Sequence, residues 1–193
     1  SRPQDHLTVF TADLLDDPWE MFPADTPQTG ERPLLGGHHD AGDFDIRIYH
    51  SIVAPLLMTA FETRPEVFTD GQLNIPESGN GIPDYLDEAL WSAAGWEYLQ
   101  EADGAVRLGA ESHRHPYGIY LASDDPLPYW TYNRCPIHTA RVAGIFAQAA
   151  RLVEPYDAYR SEILRQRAIK AYEYAVNNGV DESVGGPIMY AAS

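Results

Sequence analysis

The sequence predicts an all-α fold assembled from antiparallel helix pairs. Four stretches, at about 44–63, 83–100, 137–153 and 157–177, repeat apolar residues at the i, i+3, i+4, i+7 spacing of a buried helix face. No stretch of useful length alternates with the period of two that marks a half-buried strand. Short and long linkers alternate between the helices, which joins them as neighbouring antiparallel pairs.

Residues 1–37 are broken by Asp16-Asp17-Pro18 and by the prolines between Pro23 and Pro27, so this segment reads as mostly irregular. Only His6–Leu15 holds enough apolar residues for a short strand or helical turn. The first helix buries Tyr49, Ile52, Val53, Leu56, Leu57, Ala60 and Phe61, with a kink or break expected at Pro55. A loop over 64–81 leads to Pro83, a residue suited to the first helical position. Asp84, Asp87 and Glu88 then occupy the first turns, where the helix dipole favours negative charge.

The third helix carries Val142, Ile145, Phe146, Ala149, Leu152 and Val153 in register. The fourth carries Leu164, Ala168, Ala171, Tyr172 and Ala175 opposite a charged, solvated face. Pro187 opens a further stretch, Ile188–Ser193, that reads as the first turns of another helix.

Composition narrows the function. A chain of 193 residues, 44% apolar and with four Trp, twelve Tyr and six Phe, has the means for one sizeable core. Its formal charge of −16 argues against nucleic acid and anionic membrane as partners. A neutral or cationic ligand suits that charge. The single Cys135 excludes an internal disulfide. No apolar run approaches the roughly 20 residues of a membrane span. There is no initial Met and no signal peptide, and Ser1-Arg2-Pro3 reads as the interior of a longer chain.

Chemistry concentrates in Gly36-Gly37-His38-His39-Asp40-Ala41-Gly42-Asp43-Phe44-Asp45. Asp40 and Asp43, three apart at a helix entrance, can aim into one space and there position and deprotonate a water molecule. Helix capping by Asp43 or Asp45 explains the same residues equally well. His38 and His39 beside these aspartates also have the ligand chemistry of a metal site. The stretch 105–136 lacks helical period and carries Tyr117, Tyr120, Tyr129, Trp130 and Tyr132. Loops of that length are commonly functional, and aromatic faces stack on sugar rings, although they serve equally as core filler.

These residues resemble glycoside hydrolase family nine, the inverting cellulases. The likeness rests on Gly36-Gly37-x-x-Asp40-Ala41-Gly42-Asp43 and on Asn80-Gly81-Ile82-Pro83-Asp84-Tyr85-Leu86-Asp87-Glu88-Ala89-x-Trp91. Trp96, Leu99-Gln100, Asp103-Gly104, Cys135-Pro136 and Phe146-Ala147-Gln148-Ala149-Ala150-Arg151 follow in the same order, so that about 34–177 is covered.

The resemblance implies part of an (α/α)6 barrel with an open cleft for a β-1,4-glucan, in a secreted protein. By position Asp43 is the general base and Asp40 helps to hold the nucleophilic water. His113, in His113-Arg114-His115-Pro116-Tyr117-Gly118, contacts a sugar hydroxyl, and Tyr117 and Trp130 are candidates for stacking. The family's general acid lies downstream; Glu182 has no matching context.

No cofactor is required. Acidic loops leave room for a structural calcium, whereas the absence of a Cys near His113 and His115 argues against a four-ligand zinc site. The expected partners are a β-glucan polysaccharide and the remainder of the same catalytic domain, since the chain reads as truncated at both ends. A carbohydrate-binding helical fragment without catalysis is the alternative, and a plain helical scaffold leaves the acidic motif unexplained.

Overall fold

The computed structural model describes residues 8–39, 44–118 and 121–179. The helices run α1 (Val53–Thr63), α2 (Asp84–Tyr98), α3 (Pro136–Val153) and α4 (Ala158–Asn177). Short 3-10 turns occupy Ile48–Ile52, Pro65–Val67 and Ala122–Asp124. The stretch after Pro187 lies outside the described residues.

Helix starts follow their local chemistry. Proline stands first in α3, where its missing N–H has no partner to lose, and at the N-cap of α2. Asp157 caps α4 by accepting the Arg160 N–H at 2.8 Å. The kink or break expected at Pro55 falls slightly earlier, where the 3-10 turn over Ile48–Ile52 passes into α1 at Val53. Residues 46–47 are drawn into a strand, and the α-helical ladder opens only at Val53. Pro55 therefore falls in the first turn, where N–H groups lack intrahelical acceptors.

The all-α expectation is corrected by a five-stranded mixed sheet. Its strands are β1 (Thr8–Thr11), β2 (Arg32–Pro33), β3 (Ile46–Arg47), β4 (Gly109–Glu111) and β5 (Trp130–Thr131), in the order β2-β1-β5-β4-β3. The β1–β5 pair is parallel and the other pairs are antiparallel. Strands of two to four residues are too short to print a period. Every residue of β3, β4 and β5 is also buried, so these strands have no polar face to alternate with. Gly109 permits the tight β3–β4 pairing: at φ 142° its backbone lies so close that a Cβ would stand 1.8 Å from the Ile46 carbonyl oxygen.

The main core gathers Met58 and Phe61 of α1, Leu86 and Trp96 of α2, Val142 and Phe146 of α3 and Leu164 of α4. A second cluster holds Phe22, Ile48, Leu108, Trp130 of β5 and Tyr132. His138 of α3 is wholly buried with its ring edge-on to Trp96 at 4.7 Å, and neither ring nitrogen has a hydrogen-bond partner. Burial, with Arg141 adding to it, pushes this imidazole down to about 3.

The folded state thus favours neutral His138. Its contribution is intact above the unfolded value near 6.5 and is lost as pH falls from there towards 3. In the complete protein, His138→Leu should flatten the fall of stability over that window by up to about 1.4 kcal/mol per pH unit. Urea midpoints measured at several pH values check this; parallel pH profiles for the variant and its parent would refute it.

Candidate functional site

The acidic motif is approached over the surface of α2. Gly36, at φ 79°, crosses Gly95 so closely that a Cβ on Gly36 would meet the Trp91 carbonyl oxygen at 2.7 Å. The Gly37 N–H donates to that same carbonyl at 2.8 Å. His38 Nε2 then meets Glu88 Oε1 of α2 at 2.9 Å. His39 Nδ1 donates to the Asp45 carbonyl at 2.7 Å, which draws together the two ends of the motif. Phe44 re-enters at φ 54°, unusual for a residue with a side chain, and lies edge-on to His39. Asp40 and Asp43 themselves lie outside the described residues.

Below the exit from the motif stands a buried ionic triad. The Arg47 guanidinium contacts Asp45 through Nε and Glu111 through Nη2. These three residues are 5%, 0% and 1% exposed, so neither carboxylate can turn to bulk water for solvation. Burial works against the charged Arg47, but Asp45 and Glu111 outweigh it and hold its proton more firmly than usual. Glu111 Oε1 also accepts the Ser112 N–H at 2.6 Å.

The register pairs Ile46 with Ala110 and Arg47 with Gly109 in antiparallel strands. The acidic motif immediately precedes β3, and Ser112-His113 immediately follows β4. Both segments therefore leave the sheet at the same end. His113 is partly buried beside Trp130, with ring centroids 6.3 Å apart. Tyr117 is 74% exposed and has a face open to a ligand. Trp130 does not. It is 1% exposed, clustered with Phe10 and Phe22, and its indole N–H is taken by the Pro27 carbonyl. Its position in a strand buried on both faces makes it core, which corrects the stacking role expected for it.

The loop between α1 and α2 ties its carboxylates to its own backbone. Asp70 accepts from Gly79 and Gly81, while Asp84 accepts from Gly71, Leu73 and Ser78. Behind them Asp87 is 5% exposed, with one oxygen on the Asn80 amide and the other unpartnered. Burial pushes Asp87 up to about 6; the Asn80 amide opposes this, and the charges of Glu77, Asp84 and Asp70 add to it. Among the described residues, no three His, Cys, Asp or Glu side chains stand together in a metal-holding arrangement.

Sequence reasoning assigns no role at the site to Arg47, Glu88 and Glu111. Their partners lie 64 positions away for Arg47–Glu111 and 50 for His38–Glu88, beyond any periodic signal. The one available hint was a run of charges inside an apolar segment, Asp45 and Arg47 flanking Ile46. A groove of about 780 Å³ between α3 and α4 is lined by none of these residues but by Ala143, Gly144, Ala147, Ala168, Ile169 and Tyr172 among others.

Comparison with known proteins identifies the family. The family model described as "Glycosyl hydrolase family 9" matches residues 3–193. Endoglucanase C of Cellulomonas fimi is 31% identical over 146 residues, covering 70% of this chain and 13% of that protein. Cellulose 1,4-beta-cellobiosidase of Acetivibrio thermocellus is 28% identical over 231 residues, covering 100% of this chain and 26% of that protein. The crystal structure of a metagenome-derived glycoside hydrolase family 9 endoglucanase superposes with a TM-score of 0.77 at 33% identity, covering 91% of this chain and 31% of that one. The chain thus spans about a third or less of the length of each of these relatives.

Proposed function

This chain belongs to glycosyl hydrolase family 9, and from that premise we propose that it supplies the general base and part of the cleft of an enzyme hydrolysing β-1,4-glucosidic bonds in cellulose-like glucans. The observation that supports the reading is the β3–β4 register, which brings Phe44-Asp45, directly after the acidic motif in sequence, and Ser112-His113 to one end of the sheet. The proposed reaction needs a base and a sugar-contacting group side by side, and in this reading Asp43 and His113, 70 positions apart in sequence, take those parts.

The proposed reaction is inverting. Asp40 holds a water and Asp43 takes its proton as the water oxygen attacks the anomeric carbon. A carboxylic acid on the opposite face protonates the leaving glycosidic oxygen, with the two carboxyl groups about 6.5–9.5 Å apart. That acid comes from the remainder of the domain. His113 holds a sugar hydroxyl and Tyr117 offers a stacking face. No cofactor enters these steps.

Apolar surface supports the need for the rest of the domain. Leu56 of α1 is 60% exposed, and Ile169, Tyr172 and Val176 of α4 are 39%, 64% and 58% exposed. Together with the α3–α4 groove they form faces on which further helices of an (α/α)6 barrel would pack. In that setting the enzyme acts on an extracellular polysaccharide and is secreted; no helix of the described residues is long and apolar enough to cross a membrane.

Reducing-sugar release from a soluble β-1,4-glucan tests the proposal. The complete protein should turn over. The purified 193-residue chain should not, since a missing general acid alone costs about 10²–10⁴-fold. Turnover by the isolated chain would place the acid within it. A complete protein that binds glucan without cleaving it would establish the non-catalytic alternative.

A further inference from the structure

Trp19 is an exposed aromatic ring that the sequence motifs leave without a role. It is 50% exposed, in a polar turn reading Asp16-Asp17-Pro18-Trp19-Glu20. Its other surroundings are built rather than incidental. The indole stacks on the Tyr49 ring, with centroids 5.2 Å apart and planes 20° from parallel. The Arg47 guanidinium, already held by Asp45 and Glu111, lies over the indole at 6.0 Å from the ring centroid.

The turn that carries the ring is fixed on both sides. The Trp19 N–H donates to Asp17 Oδ1 at 2.9 Å, and the Asn133 amide donates to Asp16 at 2.6 Å. Tyr132 donates its hydroxyl proton to the Glu20 carbonyl at 2.7 Å, and the Phe22 N–H donates to the Ser112 carbonyl at 3.2 Å. Ser112 is the neighbour of His113, and Arg47 is bonded to Asp45 at the exit of the acidic motif. The ring is thus anchored to both strands that lead to the candidate site.

We infer that Trp19 is a sugar-binding platform at the rim of the cleft, stacking on a pyranose unit of the glucan chain. This rests on the substrate reading given above. The axial C–H groups of a β-linked glucose form a flat apolar face that matches an indole face. Tyr49 behind the ring and the pinned turn remove most of the ordering cost on binding. Asp16, Asp17 and Glu20 around it can accept sugar hydroxyl protons and would repel an anionic ligand. A protein-docking anchor would instead sit within a wider apolar patch, which this acidic turn does not provide.

Calorimetric titration of cellohexaose into the complete enzyme, made inactive by Asp43→Ala, tests the platform. Trp19→Ala in that background should bind about tenfold more weakly. Trp19→Phe should keep affinity within about threefold, because an aromatic face remains. Tyr159→Ala, an exposed aromatic on α4, should bind as its parent does. Melting curves of each variant separate lost stacking from lost folding, and the Phe variant keeps the test valid if the Ala variant unfolds. Parental affinity in Trp19→Ala would overturn the platform and leave the enzyme reading standing. A parent that binds no cellohexaose would overturn both.

Discussion

In the complete enzyme, Asp43→Ala should lower hydrolysis of β-1,4-glucan by about 10²–10⁴-fold, the range that a positioned general base contributes. The loss should fall in kcat. Binding of cello-oligosaccharide should persist, because it draws on ring faces and hydroxyl contacts rather than on the base. Asp40→Ala should also slow the reaction heavily, yet by less, since orienting the water is a smaller task than accepting its proton. Azide or formate should partly restore Asp43→Ala by entering the vacated space and acting as base. If Asp43→Ala kept near-normal turnover while Asp40→Ala lost it, the two roles would have to be exchanged. If neither mattered, helix capping would be the better account of the motif.

A second large effect is expected from the triad beneath the motif. Arg47→Met leaves Asp45 and Glu111 as two buried carboxylates without their common cation. Breaking a buried pair by removing one partner costs about 3–5 kcal/mol, far more than the pair contributes over an apolar replacement. Arg47→Met should therefore lower stability by that amount in urea unfolding. Adding Glu111→Gln should recover a substantial part, because one of the stranded charges is then neutral. Arg47→Lys should not substitute well, since a single ammonium cannot fork between both carboxylates. A near-neutral Arg47→Met would mean that the two carboxylates find other solvation and that the triad does not clamp β3 to β4.

Much of the helical scaffold was legible in the sequence because its signals are local. The apolar faces of α2 and α3 repeat over four or more turns, and prolines mark their starts. The sheet was not legible, because strands of two to four residues are too short to alternate, and β3, β4 and β5 are buried throughout. The misassigned Trp130 follows from the same cause. An aromatic in an irregular segment looks available for stacking until the partner strands that bury it are known. Trp19 is the converse case: an aromatic among acidic residues in a turn, passed over because composition alone cannot show that Tyr49 and Arg47 support it. The acidic motif itself was legible through its glycines and spacing, and Gly36 proves to be required where the chain crosses α2.

The central claim is inverting hydrolysis with Asp43 as base, and the configuration of the first product tests it most directly. Proton NMR of the complete enzyme cleaving a β-1,4-linked oligosaccharide should show the α-anomer accumulating at the new reducing end before mutarotation. Direct attack by a water activated on one face of the sugar can give no other outcome. Early accumulation of the β-anomer would require a covalent glycosyl-enzyme intermediate and would contradict the account.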